Sequence, residues 1–224
     1  MPTAPVATAD TAPRRPRILP PLRAAVDAGY RGPRIALIHG LMAREYVQGQ
    51  LLHYLRGAGH ADTTQWGHLA PVHTIADHLQ QAAQAGRGIA IVGYSQGGFH
   101  AVKIARELQR RHVALPLLVT IAAGGKGRWM PAQWGFDPRP VPVNVGHCLN
   151  YFAAGDGLGT DRHTARNHAH AQHPATRIEN IALEPSVSHT GIVRCYPAAR
   201  VHPQVKTRLL ERLLAELEAL SRAG

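Results

Sequence analysis

Short apolar runs alternate with amphipathic segments along most of the chain. The runs predict strands at residues 34–38, 61–66, 88–94, 117–122, 148–154 and 177–184, of which 61–66 is the weakest. Apolar residues at helical spacing predict helices over 43–56, 72–85 and 97–111, and a leucine stripe predicts a final helix over 205–220. We expect this stripe to pack on the sheet rather than to form an oligomer seam. The alternation predicts an α/β fold with a compact, mostly parallel sheet of about six strands and helices on both faces.

Residues 1–32 lack this periodicity and are rich in proline, alanine and arginine. We expect a mobile tail there, followed by one domain over 33–224 with a short insertion at about 125–145. No segment has the apolar core of a secretory signal, and no run reaches the roughly 18 apolar residues of a membrane span. The expectation is a cytoplasmic protein, and secretion stays open if the N-terminus is incomplete.

The run at 88–94 ends in Gly-Tyr-Ser-Gln-Gly-Gly, residues 93–98, just before a predicted helix. This pattern is typical of a nucleophile elbow, in which a strand turns sharply into a helix with a serine at the apex. Glycines flank the serine because side chains there would block the turn. A glycine-rich turn that contains a serine by chance would not need the strand before it and the helix after it. We therefore identify Ser95 as a candidate nucleophile.

A serine becomes a good nucleophile when a histidine removes its proton and a carboxylate orients that histidine. Both follow Ser95 along the chain. The strand at 148–154 opens into a loop that contains Asp156, and His189 follows the strand at 177–184. We predict a catalytic triad of Ser95, His189 and Asp156. Asp161 lies five positions further on and remains the alternative acid if the loop bends back.

Two backbone N–H groups are needed to hold the oxyanion that forms when the serine attacks. The residue after the nucleophile, Gln96, supplies one. The strand at 34–38 leads into His39 and Gly40, and the glycine allows the N–H of Leu41 to face the serine. His39 either contacts the substrate or braces this loop by hydrogen bonding.

These motifs together resemble the α/β-hydrolase family, over about residues 33–221. The chain is similar to the compact bacterial lipases that lack a large lid, although Tyr94 and Gln96 beside the serine look more like cutinases. The resemblance implies a serine hydrolase that cleaves carboxylic esters through an acyl-enzyme and uses no cofactor. The alternatives are a thioesterase or acyltransferase with the same triad, and a non-catalytic binding protein on the same scaffold.

The insertion carries Trp129, Met130 and Trp134, where proteins of this fold often have an acyl-binding rim. Together with His39 and Tyr94, we assign these residues to substrate binding. In the alternative interpretation the tryptophans only pin an irregular loop to the core. The expected substrate is a small-molecule or lipid acyl ester.

The formal net charge is +11, but lysine and arginine are scattered and no aromatic platform accompanies them. We therefore expect no nucleic-acid function and at most a weak attraction to anionic surfaces. The oligomeric state stays open.

Four of the fifteen histidines lie in the loop after the acid: His163, His168, His170 and His173. Their spacing can gather a zinc or nickel ion, but loop histidines are most often only solvated. We assign no metal site. Two cysteines, Cys148 and Cys195, do not by themselves establish a disulfide.

Overall fold

Parallel strands form the centre of the protein. In this computed structural model, which describes residues 18–223, the strands are β1 (Arg34–His39), β2 (Thr63–Gly67), β3 (Ile89–Tyr94), β4 (Leu115–Ile121), β5 (Pro140–Val141), β6 (Val145–Ala153), β7 (His170–Ala171) and β8 (Arg177–Leu183). Six of them build one sheet in the order β2-β1-β3-β4-β6-β8, with every neighbouring pair parallel. The short strands β5 and β7 pair separately. All six sheet strands therefore end at the same edge.

Four main helices cover the two faces of the sheet. They are α1 (residues 44–57), α2 (Val72–Gln84), α3 (Gln96–Arg110) and α4 (residues 203–223). The buried residues divide into two clusters, one between the sheet and helices α1 and α4, the other between the sheet and helices α2 and α3. Adjacent residues of β3 join opposite clusters: Val92 joins the first and Ile91 the second. Both faces of the central strand β3 are buried, because helices cover it on both sides.

The predicted six-stranded architecture is confirmed, and most predicted elements lie within a few residues of those observed. In α4, Leu209, Leu213 and Leu217 are fully buried against the sheet, where the stripe was expected to pack. The π-helical segments Gln48–Leu52 and Val205–Glu211 were not predicted. They interrupt α1 and α4, and apolar spacing does not distinguish them from α-helix over so few residues.

Part of the predicted tail contacts the sheet. Residues 1–17 lie outside the described part of the chain. Leu22 forms an antiparallel bridge with Gln65 of the edge strand β2, with N–H to O=C distances of 2.9 and 3.1 Å. Within residues 18–223, none of the helices combines the length and apolar character that crossing a bilayer would need.

Candidate active site

Ser95 occupies a strained turn between β3 and α3. Its φ of 56° and ψ of −123° lie in a region that residues other than glycine rarely adopt. A Cβ at Gly97 would overlap the carbonyl group of Ile38 in the neighbouring strand β1, so only glycine allows α3 to begin this close to the sheet. The turn leaves Ser95 partly exposed at the edge where the strands end.

A chain of two hydrogen bonds joins Ser95, His189 and Asp156. His189 Nε2 lies 3.1 Å from Ser95 Oγ, and His189 Nδ1 lies 2.7 Å from Asp156 Oδ2. The Asp156 side chain is fully buried, while that of His189 is 18% exposed. Because a carboxylate can only accept, Nδ1 carries the proton and Nε2 presents its lone pair to the serine hydroxyl.

Backbone donors hold the carboxylate of Asp156 in place. Its Oδ1 accepts the N–H groups of Leu158 at 3.0 Å and Gly159 at 2.9 Å, which leaves Oδ2 for the imidazole. Asp161, the alternative acid, bonds elsewhere: its Oδ2 accepts the Arg128 guanidinium at 2.9 Å and the N–H of Gly125 at 3.2 Å. The geometry therefore brings Asp156, and not Asp161, to His189.

A second serine–histidine pair lies near the end of β8 and serves as a comparison. His202 Nε2 is 3.0 Å from Ser186 Oγ, but His202 Nδ1 accepts the N–H of Gln204 at 3.2 Å. Since Nδ1 accepts, the neutral ring carries its proton on Nε2 and has no lone pair for Ser186. This pair consequently lacks the arrangement of a base and its nucleophile.

The loop after β1 packs directly against Ser95. A Cβ at Gly40 would lie 2.8 Å from Ser95 Cβ and 3.1 Å from both Ser95 Oγ and the Gln96 nitrogen. Gly40 thus permits a close approach that brings the next residue, Leu41, beside the serine. Gln96 is the first residue of α3, and N–H groups of a first helical turn have no partner within their own helix.

Two residues assigned to substrate binding are buried beneath the site. His39 is 7% exposed, and its Nδ1 donates to the carbonyl oxygen of Gly40 at 2.8 Å. This bond corresponds to the second role predicted for His39, in which it braces the loop after β1. Burial lowers the pKa of His39, which favours the neutral form of its ring. Tyr94 is 2% exposed, and its hydroxyl donates to the carbonyl oxygen of His189 at 2.9 Å. Both support loops of the site from below instead of facing the solvent.

The insertion after β4 is anchored on the side chain of Gln96. Gln96 Nε2 donates to the carbonyl oxygen of Gly127, and Gln96 Oε1 accepts the side-chain amide of Gln133, both at 2.9 Å. Trp129 and Trp134 nevertheless project outward, with 75% and 72% of their surface exposed, while Met130 is half-buried. The polar residues Gln96 and Gln133 pin the loop, and the tryptophans do not. Sequence reasoning missed Gln133 because no local pattern marks a glutamine that reaches across 37 residues.

The cysteines and the loop histidines are not gathered into a site. Cys148 and Cys195 carry free, buried thiols on opposite faces of the sheet, and burial raises the pKa of each to about 12. In the described part of the chain, no three side chains of histidine, cysteine, aspartate or glutamate approach closely enough to hold a metal ion. His173 Nδ1 instead accepts the N–H of Ala175 at 3.2 Å.

Comparison with solved structures identifies the architecture. The hyperthermophilic esterase from the archaeon Pyrobaculum calidifontis matches with a TM-score of 0.57 at 14% identity, over 87% of this chain and 79% of that one. The HSL homologue EstE7 from a metagenome library matches with a TM-score of 0.56 at 14% identity, over 88% and 81%. The chain has the α/β-hydrolase fold.

A third structure with this fold is RedJ, a thioesterase from the prodiginine pathway of Streptomyces coelicolor. It matches with a TM-score of 0.51 at 14% identity, over 85% of this chain and 97% of that one. No protein-family model and no curated protein matches the sequence. At these identities the likeness concerns the α/β-hydrolase fold itself, and function has to be argued from the site.

Proposed function

We propose that the protein is a serine hydrolase that cleaves carboxylic esters through an acyl-enzyme. The observation that carries this proposal is the hydrogen-bonded series from Ser95 through His189 to Asp156, with distances of 3.1 and 2.7 Å. The strained backbone of Ser95 and the buried carboxylate of Asp156 support it, because backbone strain and buried charged groups cost free energy and are concentrated at functional sites.

In the proposed mechanism, Ser95 Oγ attacks the ester carbonyl carbon while His189 Nε2 takes the hydroxyl proton. The charged imidazolium is stabilised by Asp156. The N–H groups of Leu41 and Gln96 bind the oxyanion of the tetrahedral intermediate, a contribution that typically amounts to about 3 kcal/mol for one donor. His189 then gives the proton to the departing alcohol. Water, activated by His189, then attacks the acyl-enzyme in the same way and releases the carboxylic acid and free Ser95.

The same residues can cleave a thioester, whose leaving group is a thiol. Structures with this fold include both esterases and a thioesterase, so ester and thioester hydrolysis are both candidate activities. In either case an apolar acyl group is favoured, because the exposed indoles of Trp129 and Trp134 belong to the insertion that Gln96 anchors beside the elbow.

The test measures hydrolysis of p-nitrophenyl esters from acetate to palmitate, and of butyryl-CoA, by the wild type and by Ser95→Ala. A loss of about 10⁴-fold or more in kcat is expected for Ser95→Ala. Ser186→Ala is the matched control, since Ser186 also contacts a histidine but faces its N–H; it should retain activity. A fluorophosphonate probe should label the wild type and not Ser95→Ala.

The outcomes separate the candidate functions. Activity that survives Ser95→Ala would refute the proposed nucleophile. Cleavage of butyryl-CoA alone would assign a thioesterase. Labelling without turnover of any acyl substrate would point to an acyltransferase, and neither labelling nor turnover to a binding protein on the hydrolase scaffold.

A further inference from the structure

Five large apolar side chains lie largely in water around the edge of the sheet that carries Ser95. They are Leu41, Met42, Trp129, Trp134 and Leu158, with exposed fractions between 51% and 95%. A single exposed leucine is ordinary, but tryptophan usually buries most of its surface. We call these five residues the apolar rim. Several large apolar side chains exposed at one edge of a sheet are typical of an interaction site.

Hydrogen bonds hold one half of the apolar rim against the proposed triad. The N–H of Leu158 donates to Asp156 Oδ1 at 3.0 Å, and the carbonyl oxygen of Leu158 accepts the N–H of Gly127 at 3.3 Å. Trp129 follows Gly127 by two residues, and its carbonyl oxygen accepts the indole N–H of Trp134 at 3.0 Å. The backbone segments that carry Trp129, Trp134 and Leu158 are therefore linked to the loop of the proposed acid.

The other half comes from the loop after β1. Leu41 and Met42 follow Gly40, which lies against Ser95. Met42 is 95% exposed and has a φ of 54°, so its side chain is held outward by a backbone conformation that methionine rarely adopts. The apolar rim thus borders Ser95 on two sides.

Cations lie next to the apolar rim. Lys126 comes one residue before Gly127 in the insertion, and Arg162 and Arg166 follow in the loop after Asp156; all three are exposed. Asp137 and Asp161, from the same loops, are already paired with other arginines. The three exposed cations thus keep their charge available to a partner.

We propose that the apolar rim and its neighbouring cations dock the protein on an anionic lipid surface, with Ser95 facing the lipid. Indole rings combine an apolar body with a polar N–H and favour the boundary between headgroups and acyl chains. Apolar burial together with basic side chains is the combination that holds peripheral proteins on anionic bilayers. The formal net charge of +11 disfavours a second copy of the chain as the occupant, because two such molecules repel each other.

This binding does not depend on the proposed hydrolysis, and the experiment keeps the two apart. The wild-type chain is mixed with vesicles of diether phosphatidylcholine, alone or with equal parts of diether phosphatidylglycerol. Diether lipids contain no carboxylic ester bond, so binding is measured without the proposed hydrolysis. Centrifugation and the blue shift of tryptophan fluorescence report the bound fraction. We expect binding to the phosphatidylglycerol vesicles to be about ten-fold tighter or more, and to weaken in 0.5 M salt.

Variants test the two components of the surface separately. Trp129→Ala combined with Trp134→Ala should weaken vesicle binding about ten-fold, whereas Val143→Ala, an exposed apolar position at the opposite edge of the sheet, should not. Removal of charge from Lys126, Arg162 and Arg166 by glutamine should weaken binding to anionic vesicles by a similar factor. The matched control replaces Arg31, Arg110 and Arg222, at the opposite edge, by glutamine and should leave binding within about two-fold.

Three results would overturn the proposal: no binding to either vesicle, equal binding to both compositions, or equal losses in the charge variant and its control. A dimer in light scattering that the double tryptophan substitution abolishes would assign the apolar rim to a second copy instead. Thermal unfolding of each variant identifies any loss that comes from misfolding.

Discussion

The hydroxyl of Tyr94 donates a hydrogen bond of 2.9 Å to the carbonyl oxygen of His189. Tyr94 directly precedes Ser95, so this bond ties the elbow to the loop that carries the proposed base. The two rings also pack together, with centroids 5.1 Å apart and their planes tilted by 33°. Burial holds the pKa of Tyr94 above its usual range, which keeps the hydroxyl protonated and able to donate.

Removal of this hydroxyl should therefore reduce turnover without affecting substrate binding. We expect Tyr94→Phe to lower kcat about ten-fold with little change in KM, since the imidazole loses a support of its loop. Tyr46→Phe is the matched control, because Tyr46 makes the same kind of bond, at 2.8 Å, to the carbonyl oxygen of Thr190. Its kcat should stay within about three-fold of the wild type. Equal losses in the two variants would contradict a specific role for Tyr94.

The two aspartates after β6 should separate by function. Asp156→Asn removes the charge that orients His189 and should lower kcat on p-nitrophenyl esters by about 10²–10⁴-fold. Asp161→Asn weakens the contact with Arg128 and should change kcat less than about five-fold, while lowering the melting temperature. Kinetics and thermal unfolding of both variants provide the check, and a larger kinetic loss in Asp161→Asn would reverse the assignment.

Gly40→Ala should damage catalysis more than stability. The new methyl group would lie 2.8 Å from Ser95 Cβ, so the loop that carries Leu41 must move away from the serine. We expect a loss of about 10²-fold in kcat/KM. Gly49→Ala introduces the same methyl group inside α1, where no atom lies within 4 Å, and should raise the free energy of unfolding by about 0.5 kcal/mol with activity intact.

His100 should make stability dependent on pH. It is 7% exposed, and burial lowers its pKa to about 4, against 6.5 in the unfolded chain. Between pH 6.5 and 4 the unfolded chain binds a proton at His100 that the folded protein does not. The free energy of unfolding is therefore unaffected by protonation of His100 above pH 6.5 and decreases as the pH falls from 6.5 to 4. For one residue the loss reaches at most about 3 kcal/mol.

Urea unfolding at pH 7.5 and pH 4.5 measures this effect. His100→Gln keeps a polar side chain that cannot be protonated, so the decline in the free energy of unfolding should be clearly smaller than in the wild type. It should not vanish, because burial also lowers the pKa of His78 to about 4. An unchanged decline would show that His100 is not responsible.

Sequence patterns were sufficient where local chemistry decides the structure. A buried run that ends in glycines around Ser95 has few alternative structures, and the fully buried strands and the stripe of α4 follow from apolar spacing alone. The pairing of β5 with β7 was not predicted, because two-residue strands that join positions 30 residues apart leave no periodic signal.

The sequence favoured Asp156 as the acid but left Asp161 as an alternative, because both follow β6 in one loop. The structure distinguishes them through contacts from other parts of the chain, above all the Arg128 guanidinium that reaches Asp161 from the insertion. The anchoring of the insertion has a similar origin. It depends on the long-range contacts of Gln96 with Gly127 and Gln133, which no local pattern records.

The bridge between Leu22 and Gln65 also matters for solubility. Strand β2 is the edge of the sheet, and an uncovered edge presents backbone groups that can pair with a strand of another molecule. Leu22 occupies two of these groups on β2. A chain shortened to begin at residue 33 would keep its proposed triad yet leave that edge open, and would be prone to associate edge to edge at high concentration.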